Sequence, residues 1–316
     1  MRILITGSSG QIGTNLALYL LERGHEVFGV DVRPNSWTDA FPTLLQDLAA
    51  PFADFSGGLG HVPYPPDLDV VVHFAAHAKV HELVEQPARA LENIVMTFNV
   101  LEYCRHNRRP IIFSSSREVY GDIRRYITEE SYADFAFTES PYSASKISGE
   151  ALIYSYAQCY DLRYLVFRFS NVYGRYDVDI ERMERVIPLF IRKIARGEPI
   201  TVYGGRKVLD FTYVDDCVAG VYGGIELLAG GREANQTINL AYGQGNSLVS
   251  LATYIGEELG ITPDMTVEPS RVGEVTHYVA NVGKARALLG YTPQVPLREG
   301  IHRAVAWATN YWSGRE

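Results

Sequence analysis

The chain has 316 residues, 47% hydrophobic and 21% charged, so it can bury the core of one large α/β domain with an extra lobe or of two ordinary domains. Its 29 basic and 37 acidic residues give a formal net charge of -8, which opposes the attraction to phosphate backbones on which nucleic-acid binding depends. The three cysteines are far apart and form no CxxC pair, and no apolar run approaches the ~18 residues of a membrane span. We therefore predict a cytoplasmic protein without disulfides, metal site, nucleic-acid partner or membrane span.

Strand-like runs alternate with helical patterns through the first half of the chain, which predicts a parallel, doubly wound sheet. The predicted strands are 2–6, 26–30, 70–74, 110–114 and 164–169, with long helices at 92–105 and 143–160. After residue 171 the predicted elements are shorter, at 186–196, 200–203, 208–214 and 239–241. This change predicts a smaller lobe added to the carboxyl edge of the sheet.

A glycine-rich turn joins the first predicted strand to the first helix. The spacing of Gly7, Gly10 and Gly13 allows a tight turn that brings backbone N–H groups and the helix N-terminus close to a pyrophosphate. Asp31 ends the second strand, where a carboxylate accepts hydrogen bonds from adenosine ribose hydroxyls and repels the 2′-phosphate of NADP, although Arg33 could offset that repulsion. We therefore predict NAD as the cofactor. Further candidates at the same sheet edge, either cofactor contacts or simple strand-end packing, are Gln11, Ile12, Asp47, Leu48, Phe74, Ala75 and Ala76.

Tyr142 and Lys146 stand four residues apart in a predicted helix and so share one face. An ammonium beside a phenol stabilises the phenolate and is expected to lower the tyrosine pKa towards the range of a general base. Ser116 ends an apolar strand, where its hydroxyl can hydrogen-bond the substrate oxygen that loses its proton to the tyrosine. Without this context the pair would be an ordinary surface pair and the serine would cap a turn.

With these motifs, the chain resembles the extended short-chain dehydrogenase/reductase family, which includes UDP-galactose 4-epimerase, nucleotide-sugar 4,6-dehydratases and UDP-glucuronate decarboxylase. The resemblance covers almost the whole chain. It rests on Gly7-x-x-Gly10-x-x-Gly13, His73-Phe74-Ala75-Ala76, Asn93, Ser114-Ser115-Ser116 with Val119-Tyr120-Gly121, Pro141-Tyr142-Ser143-Ala144-Ser145-Lys146, Arg168-Phe169-Ser170-Asn171-Val172-Tyr173-Gly174 and Arg271-Val272-Gly273-Glu274.

The resemblance implies roles for individual residues. The catalytic residues would be Ser116, Tyr142 and Lys146, with Asn93 and Ser114 joining Tyr142 and Lys146 among the cofactor contacts. The substrate contacts would be Asn171 and Arg271 on the diphosphate, Glu274 on the nucleotide ribose, and Val186 and Tyr203 beside the base, where simple core packing is the alternative. Residues 1–170, with about 206–240, would form the NAD-binding Rossmann domain, and 171–205 with 241–316 the smaller nucleotide-sugar-binding lobe.

The implied activity is 4-epimerisation of a nucleotide sugar through a 4-keto intermediate, with a UDP-hexose or a UDP-uronic acid as substrate. UDP-glucuronate decarboxylation and nucleotide-sugar dehydration share these residues, and a non-catalytic NAD-binding scaffold is an alternative of another class. The resemblance also implies a homodimer formed by helices 92–105 and 143–160. Phe98, Leu101, Leu152 and Tyr156 are the candidates for its exposed apolar patch, with packing against the sheet as the alternative.

Two departures from the family pattern concern the substrate. Leu209 stands where the family carries an arginine, so a phosphate-binding charge is missing or is supplied by Arg206 or Lys207. Arg117 and Glu118 follow Ser116 where dehydratases have Asp-Glu, which disfavours simple 4,6-dehydration. A guanidinium there could bind the C6 carboxylate of a uronic acid, or it could turn outward to a surface acid or pair with Glu118.

Overall fold

The computed structural model describes residues 1–50, 67–121, 128–132, 135–177, 185–231, 234–272 and 274–314. Among these residues a seven-stranded parallel sheet is flanked by helices, and six further strands form two smaller sheets. The predicted α/β class with a doubly wound parallel sheet is confirmed. Gly273, a member of the motif that ends at Glu274, lies outside the described residues.

The strands have the following bounds. They are β1 (Arg2–Thr6), β2 (Glu26–Asp31), β3 (Thr43–Leu45), β4 (Val70–His73), β5 (Ile111–Ser116), β6 (Tyr164–Phe169), β7 (Asn171–Tyr173), β8 (Ile200–Tyr203), β9 (Val208–Tyr213), β10 (Gln236–Leu240), β11 (Gly245–Ser247), β12 (Met265–Glu268) and β13 (His277–Tyr278). The central sheet has the order β10-β6-β5-β4-β1-β2-β3, and all its pairs are parallel. Because the order reverses between β1 and β4, a crevice opens at the carboxyl ends of these strands.

In the smaller sheets, β9 pairs with β7, β11 and β13, and β8 pairs with β12. The helices of the described residues are α1 (Gln11–Leu21), α2 (Val80–Glu85), α3 (Ala88–Asn107), α4 (Pro141–Tyr160), α5 (Val186–Ala195), α6 (Val214–Ala229), α7 (Leu248–Leu259), α8 (Gly283–Leu289) and α9 (Leu297–Ser313). No helix in this part of the chain is both long and apolar enough to cross a bilayer.

Alternate side chains of the central strands enter separate cores, because successive residues of a strand point to opposite faces of the sheet. Ile3 and Ile5 of β1 pack in the core that α1 and α6 cover, whereas Leu4 packs in the core that α3 and α4 cover. A sheet buried on both faces requires strands without polar alternation, which is the pattern that made the central strands predictable.

The two long helices extend beyond their predicted bounds. The predicted helix 92–105 spans Ala88–Asn107. It begins directly after Pro87, whose fixed φ is compatible with a helix start. It ends at Arg108, which has the left-handed conformation (φ 52°). Helix α4 likewise begins at Pro141, two residues earlier than predicted, with the Ser140 hydroxyl accepting from Ser143 N–H at 3.2 Å.

The predicted apolar patch on these helices is only partly exposed. Leu101 and Tyr156 are buried between α3, α4 and the sheet, so their assignment to an exposed patch was wrong. Phe98 is 38% exposed and Leu152 is half-buried. Leu91 precedes Phe98 by seven residues, about two helical turns, and so lies on the same face of α3. It is 63% exposed.

A buried ion pair fastens α4 to the central sheet. The Glu150 carboxylate accepts N–H groups of Arg168 in β6 at 2.9 and 2.6 Å, the Ser115 hydroxyl at 2.5 Å and the Tyr154 hydroxyl at 2.9 Å. Arg168 also donates to the Glu130 carbonyl at 2.8 Å. Since both charges are fully hydrogen-bonded, this pair fixes the position of α4 against β5 and β6.

Candidate active site

The glycine turn has no room for side chains. Gly7 has φ +72°, and a Cβ added to it would lie 2.7 Å from the Ala75 nitrogen, while a Cβ on Gly13 would collide with the Gly7 carbonyl oxygen. Gly10 is the N-cap of α1 and provides no side-chain cap. The N-terminus of α1 therefore presents its dipole and first-turn N–H groups to an anion, as a dinucleotide pyrophosphate requires.

Asp31 lies beside this turn at the end of β2. Its carboxylate accepts the Ser9 N–H at 2.9 Å and the Arg33 N–H at 3.3 Å, and the Arg33 guanidinium donates to the Ser9 carbonyl at 3.0 Å. The carboxylate keeps lone pairs for ribose hydroxyls, because an ionised carboxylate has about four acceptor sites. Arg33 is thus held against the turn by its own hydrogen bond.

Gln11 and Ile12 open α1, and Gln11 also contacts a residue that the sequence did not single out. Arg185 donates to the Gln11 side-chain oxygen and, at 2.8 Å, to Asp177. The Gln11 Nε2 atom is buried and has no hydrogen-bond partner among the described residues. An orphaned polar atom of this kind at the glycine turn is available to a polar ligand. Arg185 has no sequence signal, because it joins a partner 174 positions away.

The remaining cofactor candidates fall into two groups. Phe74, Ala75 and Ala76 are half-buried beside the glycine turn, where Ala75 N–H donates to the Thr6 hydroxyl at 3.2 Å. Asp47, Leu48 and Asn93 make contacts within the protein. The Asp47 carboxylate is exposed and caps Ala49 N–H at 2.9 Å, Leu48 packs in the α3/α4 core, and Asn93 binds the His77 backbone at 2.7 and 3.0 Å and Ser145 at 3.2 Å.

The structure brings Ser116, Tyr142 and Lys146 together at the carboxyl end of β5. Tyr142 is 8% exposed, and its phenol is hydrogen-bonded to the Ser116 hydroxyl. The Lys146 ammonium lies 5.8 Å from the Tyr142 ring centroid and donates to the Ser114 carbonyl at 2.7 Å. Ser114 in turn donates its hydroxyl to the His73 carbonyl at 3.0 Å, which links β5 to β4 below the site.

The expected lowering of the tyrosine pKa is wrong in this structure. Burial raises the pKa of Tyr142 to about 12, and the Ser116 hydrogen bond opposes that rise only in part. Burial lowers the pKa of Lys146 to about 8 and that of His73 to about 3. The lysine therefore supports the site from the Ser114 carbonyl and not by a hydrogen bond to the phenol.

Arg117 turns inward, contrary to an outward surface orientation. Its side chain is 13% exposed, and Nη2 lies 2.8 Å from Oε1 of the buried Glu118 carboxylate. Burial raises the pKa of Glu118, and the Arg117 charge opposes that rise. Arg117 Nη1 and Glu118 Oε2 are buried without a hydrogen-bond partner in the described part of the chain, so each keeps one group for a polar ligand.

The substrate candidates lie on the smaller sheets and their connections. Asn171 donates its side-chain amide to the Asp210 carbonyl at 3.0 Å, and Val186 is half-buried at the start of α5. The Arg271 guanidinium stacks over the Tyr203 ring, 4.2 Å from its centroid. Glu274 forms an ion pair with Lys207, a residue that sequence analysis offered only as one of two substitutes for the missing arginine.

Comparison with known proteins places these features in one family. Residues 3–241 match the NAD dependent epimerase/dehydratase family. A putative UDP-glucose 4-epimerase of Methanocaldococcus jannaschii is 30% identical over 98% of both chains. The crystal structure of Thermotoga maritima UDP-glucose 4-epimerase with UDP-glucose has a TM-score of 0.87 and 28% identity, covering 99% of this chain and 100% of that one. The UDP-glucuronic acid 4-epimerase of Bacillus cereus, in complex with UDP-glucuronic acid and NAD, has a TM-score of 0.86 and 25% identity, covering 98% and 100%.

The buried lysine makes stability depend on pH. The pKa of Lys146 is about 8 in the folded chain and lies near its ordinary 10.5 in the unfolded chain. Between these two pH values the unfolded chain therefore binds more protons than the folded chain. The contribution of Lys146 to the free energy of unfolding consequently rises with pH over this range. Lys146→Met removes the titration. We expect the free energy of unfolding of the wild type, relative to this variant, to rise by about 2 kcal/mol between pH 8 and pH 10 in urea titrations.

Lys193→Met is the matched control, because the Lys193 ammonium donates to the Pro199 carbonyl at the surface at 3.3 Å. The difference between wild type and the control should stay flat over the same pH range. A flat difference for Lys146→Met as well would mean that burial does not shift this lysine.

Proposed function

Because the chain belongs to the NAD-dependent epimerase/dehydratase family, we propose that it interconverts two UDP-sugars that differ in configuration at C4. The main support is the buried contact between Tyr142 and Ser116, with Lys146 one helical turn away, at the sheet edge that carries the glycine turn. The related 4-epimerases from Thermotoga maritima and Bacillus cereus, which act on UDP-glucose and UDP-glucuronic acid, agree with this activity.

The proposed cofactor is NAD. The glycine turn would receive its pyrophosphate, and Asp31 would accept the adenosine ribose hydroxyls and repel a 2′-phosphate. Bound NAD would supply the acceptor and donor of hydride, and the positive charge of its nicotinamide would favour the Tyr142 phenolate over the phenol.

The protein's residues would act on the sugar's C4 hydroxyl. Tyr142 takes the hydroxyl proton as the C4 hydride leaves, and Ser116 hydrogen-bonds the oxygen that becomes the 4-keto group. Return of the hydride to the opposite face of C4, with the proton coming back from Tyr142, gives the epimer without net oxidation. Loss of a C6 carboxylate or of the 6-hydroxyl from the same keto-sugar would give decarboxylation or dehydration instead.

A mass measurement separates these activities. Incubation with UDP-glucose and with UDP-glucuronic acid should yield a product of unchanged mass and new chromatographic retention. Tyr142→Phe should lower kcat at least ~100-fold, because the general base is missing, while NAD binding persists because the ring and the glycine turn are unchanged.

A product lighter by water or carbon dioxide would replace epimerisation with one of the other two reactions. A protein that binds NAD but converts no nucleotide sugar would be the non-catalytic scaffold. Activity of Tyr142→Phe within a few-fold of the wild type would remove Tyr142 from the mechanism.

We propose a UDP-uronic acid as the substrate within this class. The buried guanidinium of Arg117, the residue after Ser116, keeps Nη1 without a hydrogen-bond partner among the described residues, and a planar guanidinium suits a C6 carboxylate. Glu118 holds Nη2 at 2.8 Å, so only part of the guanidinium remains for the sugar unless that pair opens.

Arg117→Ala tests the uronate proposal through a ratio of substrates. We expect kcat/KM for UDP-glucuronic acid to fall about thirtyfold, since a desolvated charged pair is worth ~2 kcal/mol or more, while UDP-glucose is spared. General damage to the fold affects both substrates and cancels in the ratio. An equal loss for both, or a wild type that prefers UDP-glucose, would leave a neutral hexose as the substrate.

We further propose a homodimer in which α3 and α4 pack against the same helices of a second copy. The exposed Leu91 and Phe98 on α3 support this face. Light scattering at micromolar concentration should give a dimer for the wild type and a monomer for the Leu91→Glu/Phe98→Glu variant. Val267→Glu, on an exposed position of β12, is the control that should stay dimeric. A monomeric wild type would reject the proposal.

We also propose that the chain is divided into two units. Residues 1–170 with about 206–240 would form the NAD-binding part, supported by β10 pairing with β6 and by α6 packing on α1. Residues 171–205 and 241–316 would bind the nucleotide sugar. We propose, in addition, that the protein is located in the cytoplasm.

A further inference from the structure

Lys207 is a buried cation held by a turn that is shaped to receive it. Its side chain is 5% exposed, and its backbone N–H donates to the Gly204 carbonyl at 2.9 Å. Gly204 has φ +83°, and a Cβ there would lie 2.8 and 2.9 Å from Cε and Cγ of Lys207. The absence of a side chain at residue 204 therefore makes room for the lysine stem.

The ammonium of Lys207 faces the substrate candidates. It donates a hydrogen bond to the Glu274 carboxylate, which is 29% exposed. A ligand can therefore approach the ion pair from the side of the Glu274 carboxylate. Ser270 Oγ also borders the space where a Gly204 Cβ would stand, and the next residue, Arg271, stacks over Tyr203. Lys207 thus lies among the groups that would surround a nucleotide.

The neighbouring residues cannot provide the same charge. Arg206 is exposed, and Leu209 is a buried apolar side chain in β9. Arg117 already holds the Glu118 carboxylate. The pKa of Glu118, raised chiefly by burial, also responds to Lys207 and Glu274, so these charges share one site. Arg117 and Lys207 are each balanced by a carboxylate, so either can bind a substrate diphosphate only by exchanging its partner.

We propose that Lys207 binds the diphosphate of the nucleotide sugar by exchanging Glu274 for a phosphate oxygen. Glu274, released from the lysine, then accepts hydrogen bonds from the nucleotide ribose hydroxyls. The exchange keeps both buried charges paired, because the ammonium moves from one anion to another and the carboxylate gains hydroxyl donors. This inference rests on the proposed function, since it takes a UDP-sugar as the ligand.

The test compares UDP with uridine in titrations of NAD-loaded protein. Lys207→Met keeps the stem in the Gly204 turn and removes the charge. We expect its dissociation constant for UDP to rise ten- to hundredfold and that for uridine to change less than about twofold, because uridine has no phosphate.

Two further variants make the result specific. Arg206→Met removes an exposed charge from the same turn and should leave both dissociation constants unchanged. Glu274→Gln removes the charge that pairs with the ammonium and leaves a weaker, neutral acceptor for the ribose, so the preference for UDP over uridine should increase. Because each variant is read as the ratio of its two ligands, partial loss of folded protein does not alter the outcome.

Equal weakening of UDP and uridine in Lys207→Met, or no weakening of either, would overturn the inference. The proposed function can fail separately, since a wild type that binds UDP but converts no UDP-sugar is not an epimerase. The ratio of its dissociation constants for UDP and uridine would still test Lys207. A wild type that binds neither ligand would overturn both proposals.

Discussion

The Glu150 carboxylate is the constraint on which the geometry of the site depends. It lies one turn beyond Lys146 on α4 and is held by Arg168 of β6 and by the Ser115 hydroxyl of β5. Ser115 stands between Ser114, which receives the lysine, and Ser116, which contacts the tyrosine. A shift of α4 by one turn would strip a buried charge of its partners, which costs several kcal/mol. The pair thereby fixes the distance between the phenol and the β5 hydroxyls.

A second feature, charge balance, governs the substrate side of the crevice. The Arg117–Glu118 and Lys207–Glu274 pairs place two cations and two carboxylates in a largely buried region. Such pairs add little net stability, but breaking one singly is costly, because the remaining buried charge is left without a partner. A polyanionic ligand is suited to this arrangement, since it can replace a carboxylate on each cation without leaving either cation bare. The protein's overall negative charge is thus compatible with an anionic substrate.

The sequence predicts local features well and long-range contacts poorly. The bounds of β1 and β6 are predicted exactly as Arg2–Thr6 and 164–169, because buried parallel strands are continuous apolar runs bounded by turn residues. Tyr142 and Lys146 are identifiable because helical spacing alone puts them on one face. By contrast, the start of α3 at Ala88 is missed because the helix begins directly after Pro87, and a proline in a helical pattern usually marks a boundary. The Lys207–Glu274 pair joins residues 67 positions apart, and no periodicity signals it.

The pKa of Tyr142 shows why the type of chemistry is easier to predict than its energetics. A lysine four residues away indicates a stabilised phenolate, yet burial is a property of the tertiary structure, and it raises the pKa of Tyr142 to about 12. The same burial lowers the pKa of Lys146 to about 8, since removal from water favours the neutral form of each group. A site that excludes water therefore keeps its base protonated until a further positive charge arrives beside the phenol. Burial, which opposes ionisation of the tyrosine, also strengthens its response to that charge, because the attraction between charges grows as the effective dielectric constant falls.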